Sequence, residues 1–151
     1  MLHGSKYFSA KEFRCKCGSC DFGGQEYHIA SDLVHALHCL RIKLGVPFTI
    51  TSGARCLKHN TAVGGGAKST HMAGGVGGPC TPGYEGQCRA VDIDTTSWSI
   101  TLRAEAVQMA LVMGLRVGMA TTFLHFDVEN APYYAEGMWN YGLKEDSSGG
   151  Q

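Results

Sequence analysis

Between Ser31 and Leu44 apolar residues recur every three or four positions: Leu33, Leu37, Leu40 and Leu44, with Val34 beside them. That spacing predicts an amphipathic helix over about 31–44, capped by Ser31 and ended by Gly45-Val46-Pro47. A second stripe, Leu102, Ala106, Met109, Ala110 and Met113, predicts a helix capped by Ser97 or Ser99 and running to about Met113. Elsewhere short β-rich runs, some of them alternating apolar and polar, predict strands over 48–52, 89–94, 116–119 and 122–128. Two shorter helices complete the set. Ser9 and Glu12 have capping-box spacing around a helical turn within 8–13, and 57–62 reads as a short helix. Residues 14–28, rich in Cys and Gly, read as loop. The order of elements is that of an α+β fold, without internal repeats, and 147–151 reads as a disordered tail.

Composition narrows the function classes. With 151 residues the chain is most simply one domain, taken as 1–146, large enough to bury a core. Thirteen basic and thirteen acidic residues balance to zero net charge, which leaves no electrostatic case for nucleic acid or an anionic membrane surface. No apolar run approaches the ~20 residues that span a bilayer. The first residues, Met1-Leu2-His3-Gly4-Ser5-Lys6, lack a signal-peptide core, so the chain is expected to be made in the cytoplasm. Glycines crowd between Gly64 and Gly86 and mark a long loop.

Seven cysteines change the picture again. An odd number argues against a fully paired disulfide framework, and reduced thiols are the default without a secretory signal. Cys15-Lys16-Cys17-Gly18-Ser19-Cys20 offers three of the four ligands of a structural zinc site, with His28 or another cysteine as the fourth. The other reading is a thiol-rich loop packed on the domain. Cys39 falls in the first long helix. Cys80 and Cys88 share one loop and suit a local disulfide if the compartment is oxidising.

The chemistry-bearing segments are Ser69-Thr70-His71-Met72-Ala73-Gly74, Arg89-Ala90-Val91-Asp92-Ile93-Asp94 and Phe123-Leu124-His125-Phe126-Asp127-Val128. Two of them fall on predicted strands, which hold ligands rigidly. Two His and one Asp suffice to hold zinc and leave its fourth position open to water, as in catalytic sites. Taken singly, each residue has a plainer reading: a satisfied core histidine, or a loop cap or salt-bridge partner for Asp92.

The run Ile50-Thr51-Ser52-Gly53-Ala54-Arg55-Cys56, then His59-Asn60, then Ser69-x-His71-x-x-Gly74 and Ala90-x-Asp92, resembles the zinc D-alanyl-D-alanine carboxypeptidase family. That family shares its fold with the amino-terminal domain of hedgehog proteins. The resemblance covers about residues 7–142. It implies a small antiparallel sheet packed against helices. It also implies one zinc ion held by His71, Asp92 and His125, with Arg55 holding a substrate carboxylate and Ser69 supporting substrate near the metal. The opening Phe8-Ser9-x-x-Glu12-Phe13-x-Cys15-x-Cys17-Gly18, and His125-Phe126-Asp127-Val128 with Trp139 downstream, are similar to small phage and prophage members.

Two departures stand out. The family motif puts Asp seven positions after His, whereas here residues 75–88 form a fourteen-residue insertion that carries Cys80, Tyr84, Glu85 and Cys88. Loop-closure cost grows slowly with length, so both ligands can still meet, and the inserted loop could form a substrate lip. Second, the carboxylate or His that many members place just before the last ligand is missing from Met119-Ala120-Thr121-Thr122-Phe123-Leu124. Asp127, two residues past His125, would share its side of the strand and orient an imidazole or act as base. Glu129 and Glu85 are the other candidate bases. The resulting expectation is a monomeric zinc peptidase acting on peptidoglycan stem peptides, of D-Ala-D-Ala carboxypeptidase or L-Ala-D-Glu endopeptidase type. It would reach the wall after lysis or as a virion component. The alternative is a catalytically weak wall-binding or virion protein, because hedgehog domains keep the fold as binding modules.

Overall fold

The structure, a computed structural model, describes residues 1–72, 86–128 and 137–141. Its elements run α1 (Ala10–Phe13), α2 (Ser31–Leu44), β1 (Ile50–Ser52), α3 (Leu57–Ala62), β2 (Ala90–Asp94), α4 (Ile100–Val112), β3 (Arg116–Met119), β4 (Phe123–Asp127) and β5 (Met138–Asn140). A single 3₁₀ turn, Glu26–His28, interrupts the loop between α1 and α2.

The five strands form one sheet in the order β1-β2-β4-β3-β5. The pairs β1–β2, β2–β4 and β4–β3 are antiparallel, but β5 joins β3 in parallel, so the antiparallel sheet expected from the resemblance is mixed at one edge. Side chains alternate across a strand, and here the alternation separates core from chemistry. Val91 and Ile93 of β2, Val117 of β3, and Leu124 and Phe126 of β4 are buried in the main apolar cluster. Asp92, Gly118, His125 and Asp127 occupy the intervening positions and share the opposite face.

Helices α2 and α4 cover the apolar face. Leu33, Val34, Leu37 and Leu40 of α2 are fully buried, each contributing about 1.5–3 kcal/mol relative to exposure. Gly45 ends the helix at φ +69°, where a side chain would be strained. Ser31 does not cap α2 as expected. It is the first helical residue, because the backbone N–H of Ala30 is tied to the Cys88 carbonyl at 3.0 Å and the helix opens one position later. In α4, Ala106 and Ala110 are buried, while Leu102, Met109 and Met113 are half-buried. Ser99, not Ser97, is the cap, its Oγ accepting from the Leu102 N–H at 3.1 Å. Around α1 the capping box forms as its spacing implies: a Glu12 carboxylate oxygen accepts from the Ser9 N–H at 2.8 Å and hydroxyl at 3.0 Å. No helix among the described residues is long and apolar enough to cross a membrane. The proposed tail 147–151 lies outside the described residues.

Candidate metal centre

Asp92 and His125 are direct partners across the β2–β4 ladder, at the middle of each strand. The sheet therefore fixes their separation. His71 comes from the turn after α3, and that turn is stitched down on both sides. The Arg89 N–H donates to the Thr70 carbonyl at 3.0 Å, and the Arg55 N–H donates to the His71 carbonyl at 3.0 Å. Residues far apart in sequence thus meet, and the long insertion does not keep His71 from Asp92.

The outer hydrogen bonds decide what the inner atoms can do. Nδ1 of His71 lies 2.6 Å from the Gly53 carbonyl, which only accepts, so Nδ1 carries the proton and Nε2 is bare. Nε2 of His125 lies 2.7 Å from Oδ2 of Asp127, an ionised acceptor, so Nδ1 of His125 is bare in the neutral ring. These two bare nitrogens stand 3.1 Å apart. Asp92 Oδ1 lies 3.2 Å from one and 3.0 Å from the other. With both rings neutral, three lone pairs converge with no donor between them, and all three side chains are buried. Donors on a tetrahedral zinc ion at bond lengths of ~2.0–2.2 Å stand ~3.3–3.6 Å apart, so small outward shifts would admit the ion. The donor set fits zinc.

The electrostatics agree. Burial disfavours charge on Asp92, but His71 and then His125 outweigh it and hold the carboxyl well below its usual range. Burial pushes His71 down, toward the neutral form a metal needs. Burial also opposes charge on His125, yet its bonds to Asp127 and Asp92 prevail and raise it, so without metal the centre draws in a positive charge.

Asp127 shares the face of His125, as its spacing implied, and is fully buried. It accepts from Arg116 Nε at 2.7 Å and Nη2 at 2.8 Å, from His125, and from the Thr70 hydroxyl at 3.2 Å. Burial favours its neutral form, but His125 and Arg116 keep it ionised and below the usual carboxylate range. With both oxygens so engaged, it is placed to orient the imidazole of His125 rather than to take a proton from water.

Arg55 faces the same cleft but is committed to the protein. Nε donates to Ser52 Oγ at 3.0 Å, Nη1 to Asn60 Oδ1 at 3.0 Å, and Nη2 to Asp92 Oδ2 at 3.1 Å. It steadies the second oxygen of Asp92 and keeps one further N–H on each terminal nitrogen for a ligand. The Ser69 hydroxyl lies on the cleft wall and accepts from the His71 N–H at 3.3 Å, so it supports the ligand loop directly.

The cleft has a volume of about 980 Å³. Its charged walls are Lys16, Arg55, Lys68 and Arg116, with His59 beside them. Asp92 is the only carboxylate among the described residues that line it. Trp139 packs on His125 with ring centroids 5.2 Å apart, and Arg116 sits over Trp139 at 4.8 Å. Burial, then the charge of Asp92, keeps the Tyr141 phenol protonated above its usual pKa. Gly118 leaves room for this wall: a Cβ there would lie 2.7 Å from the Tyr141 ring and 2.8 Å from that of Trp139. Sequence reading missed Arg116, Thr70, Tyr141 and the Gly53 carbonyl. Arg116 opens a predicted strand, but its place opposite Asp127 is set by strand register, which the sequence does not name.

The candidate bases Glu85 and Glu129, the lip-forming part of the insertion including Tyr84, and Cys80 lie outside the described residues. Cys88 is buried and donates its thiol proton to the Ala90 carbonyl at 3.0 Å. The sulfurs of Cys15, Cys17 and Cys20 do cluster, and the fourth sulfur beside them is that of Cys56. His28 is not part of the group, because its Nδ1 accepts from the Gly23 N–H at 3.0 Å.

A small mixed-sheet α+β domain with two imidazoles and one carboxylate converging in a basic cleft is the frame of a mononuclear metallopeptidase. The sequence model described as Peptidase M15 matches residues 6–127, and the chain belongs to that zinc-dependent family. No curated protein matches the chain.

Proposed function

We propose that this protein is a zinc peptidase that hydrolyses peptide bonds in peptidoglycan stem peptides, of D-Ala-D-Ala carboxypeptidase or L-Ala-D-Glu endopeptidase type. The observation that carries the reading is the convergence of His71 Nε2, His125 Nδ1 and Asp92 Oδ1 at the floor of the cleft. Bound there, zinc would supply Lewis-acid polarisation of the scissile carbonyl and an activated water. The chain's own residues do the rest. Asp127 and the Gly53 carbonyl hold the two imidazoles in the metal-facing tautomer. Lys16, Lys68, Arg116 and the remaining N–H groups of Arg55 attract a substrate rich in carboxylates, which stem peptides are. Tyr141, which lines the cleft with its ring 6.2 Å from that of His125, would donate a hydrogen bond to an oxygen that gains charge. Trp139 and Tyr141 shield one side of the centre from water.

The likeness to small phage and prophage members supports delivery to the wall by lysis or in a virion. A second reading has an observation of its own. Both oxygens of Asp92 are engaged, and no other described carboxylate lines the cleft to act as a base. A slow hydrolase, or a wall-binding module that retains zinc, fits that arrangement. Mass spectrometry of soluble fragments released from purified peptidoglycan by the zinc-loaded protein separates the two. Fragments ending at one defined peptide bond are expected. Binding to the wall without fragments from any peptidoglycan chemotype would assign the module instead.

A further inference from the structure

We propose that Cys15, Cys17, Cys20 and Cys56 bind a second, structural zinc ion outside the cleft. The four Sγ atoms lie within 4.8 Å of one another, with Cys17 and Cys20 3.4 Å apart. A regular tetrahedron of sulfurs around zinc at ~2.3 Å has edges of ~3.8 Å, so the cluster has the size of a four-thiolate site. Four protein ligands close the coordination sphere, which is the structural kind of zinc site.

The backbone around the sulfurs is arranged for thiolates. The Cys56 N–H points at Cys15 Sγ at 3.4 Å, the Ser19 N–H at Cys17 Sγ at 3.3 Å, and the His59 N–H at Cys56 Sγ at 3.4 Å. Such donors spread the negative charge that a metal-bound thiolate keeps and fix the ligand's direction. Gly18, at φ +78°, makes the turn that brings the Ser19 N–H over Cys17. Cys88 marks the contrast: it belongs to the same small buried cluster, yet its thiol donates to a carbonyl and is not one of the four.

The local packing leaves the site a job. Residues 14–25 form no helix or strand, and the buried cluster beneath them is only Cys15, Phe22, Ala54, Cys56 and Cys88. So little apolar area is a weak clamp for a loop of that length. A metal would bind this loop to Cys56, which caps α3 and adjoins Arg55. The second ion would thus hold in place the turn that presents Arg55 and the Gly53 carbonyl to the cleft.

Elemental analysis of protein purified under reducing conditions tests the assignment. Wild type should carry two zinc ions per chain, and both His125→Ala and Cys56→Ser should carry one. X-ray absorption at the zinc edge of the His125→Ala protein should show a pure sulfur shell at ~2.3 Å. This measurement needs no cysteine variant, so it stands even if Cys56→Ser fails to fold. One zinc in wild type and none in His125→Ala would overturn the second site while leaving the cleft assignment intact. Iron in place of zinc, or a disulfide among these cysteines in anaerobically purified protein, would overturn it as well. Two ions in wild type with both retained in His125→Ala would sink the cleft assignment instead.

Discussion

The molecule gathers metal-ligating side chains in two places, by different means. In the cleft, Asp92 and His125 sit opposite each other on hydrogen-bonded strands, and each outer polar atom of the three candidate ligands has a protein partner. At the thiol cluster, the cysteines come from a loop and a helix cap, and backbone amides point at three of the four sulfurs. The first set leaves a side open toward a basic cleft, and the second encloses its centre with four sulfurs. A sheet can afford an open site because the ligands stay put without the ion. A loop over so small a buried cluster is expected to need the ion to close it. The difference predicts that metal loss from the cleft will cost chemistry, whereas metal loss from the thiol cluster will cost order.

The largest effect that would break this comparison is loss of the cleft ion. His125→Ala should abolish stoichiometric zinc there while the thermal transition of the sheet persists, read by elemental analysis and calorimetry. Collapse of the fold in that variant would show that the strands are not self-sufficient.

Arg116→Ala comes next. It leaves the buried Asp127 carboxylate with fewer donors and should cost about 3 kcal/mol, in the range for one lost partner of a buried pair. It should also move acid unfolding. Asp127 is held below the ordinary carboxylate pKa in the fold. Its contribution is therefore present above the unfolded value of ~3.9 and is lost as pH falls through the lower folded one. Removing Arg116 raises the folded value and narrows that window, so the wild type should resist unfolding below pH ~4 better than the variant. Identical acid transitions would contradict the pairing.

Asp127→Asn sharpens the role of that residue. Loss of an orienting partner typically costs 10–100-fold in metal affinity, so a zinc-buffer titration should show weaker binding. Unchanged affinity with collapsed turnover would mark Asp127 as the proton acceptor. The smallest expected effect is that of Arg55→Lys: a KM rise of roughly tenfold, about 1.4 kcal/mol, from a lost forked contact, with zinc retained. A fall in zinc affinity at unchanged KM would mean that Arg55 serves Asp92 alone.

Much of this arrangement was legible in the sequence. The helical stripe of Leu33, Leu37 and Leu40 and the alternation in 89–94 and 122–128 state which side chains enter the core, and periodicity is a local property. That Asp92 and His125 belong to one site was implied by motif resemblance alone; their pairing across β2 and β4 was not read, because strand register is set by partners the local sequence does not name. Strand β5 was missed. It has three residues, Met138-Trp139-Asn140, too short for a period, and pairs in parallel with β3, as Val117 with Met138. Ser31 lost the cap to a long-range tie between Ala30 and Cys88. The fourth sulfur, Cys56, was unreadable for the same reason: only the fold brings it beside Cys15. The resemblance implies that Arg55 offers its fork to substrate, but nothing in the sequence shows that Ser52, Asn60 and Asp92 claim three of its five N–H groups.

The most direct test of the central claim is the rate of fragment release from peptidoglycan, measured as zinc is returned to chelated protein. The account predicts no release from the chelated chain. Release should then rise in proportion to zinc bound at His71, Asp92 and His125, with a flat response in His125→Ala. Release that is independent of zinc, or that survives in His125→Ala, would contradict it.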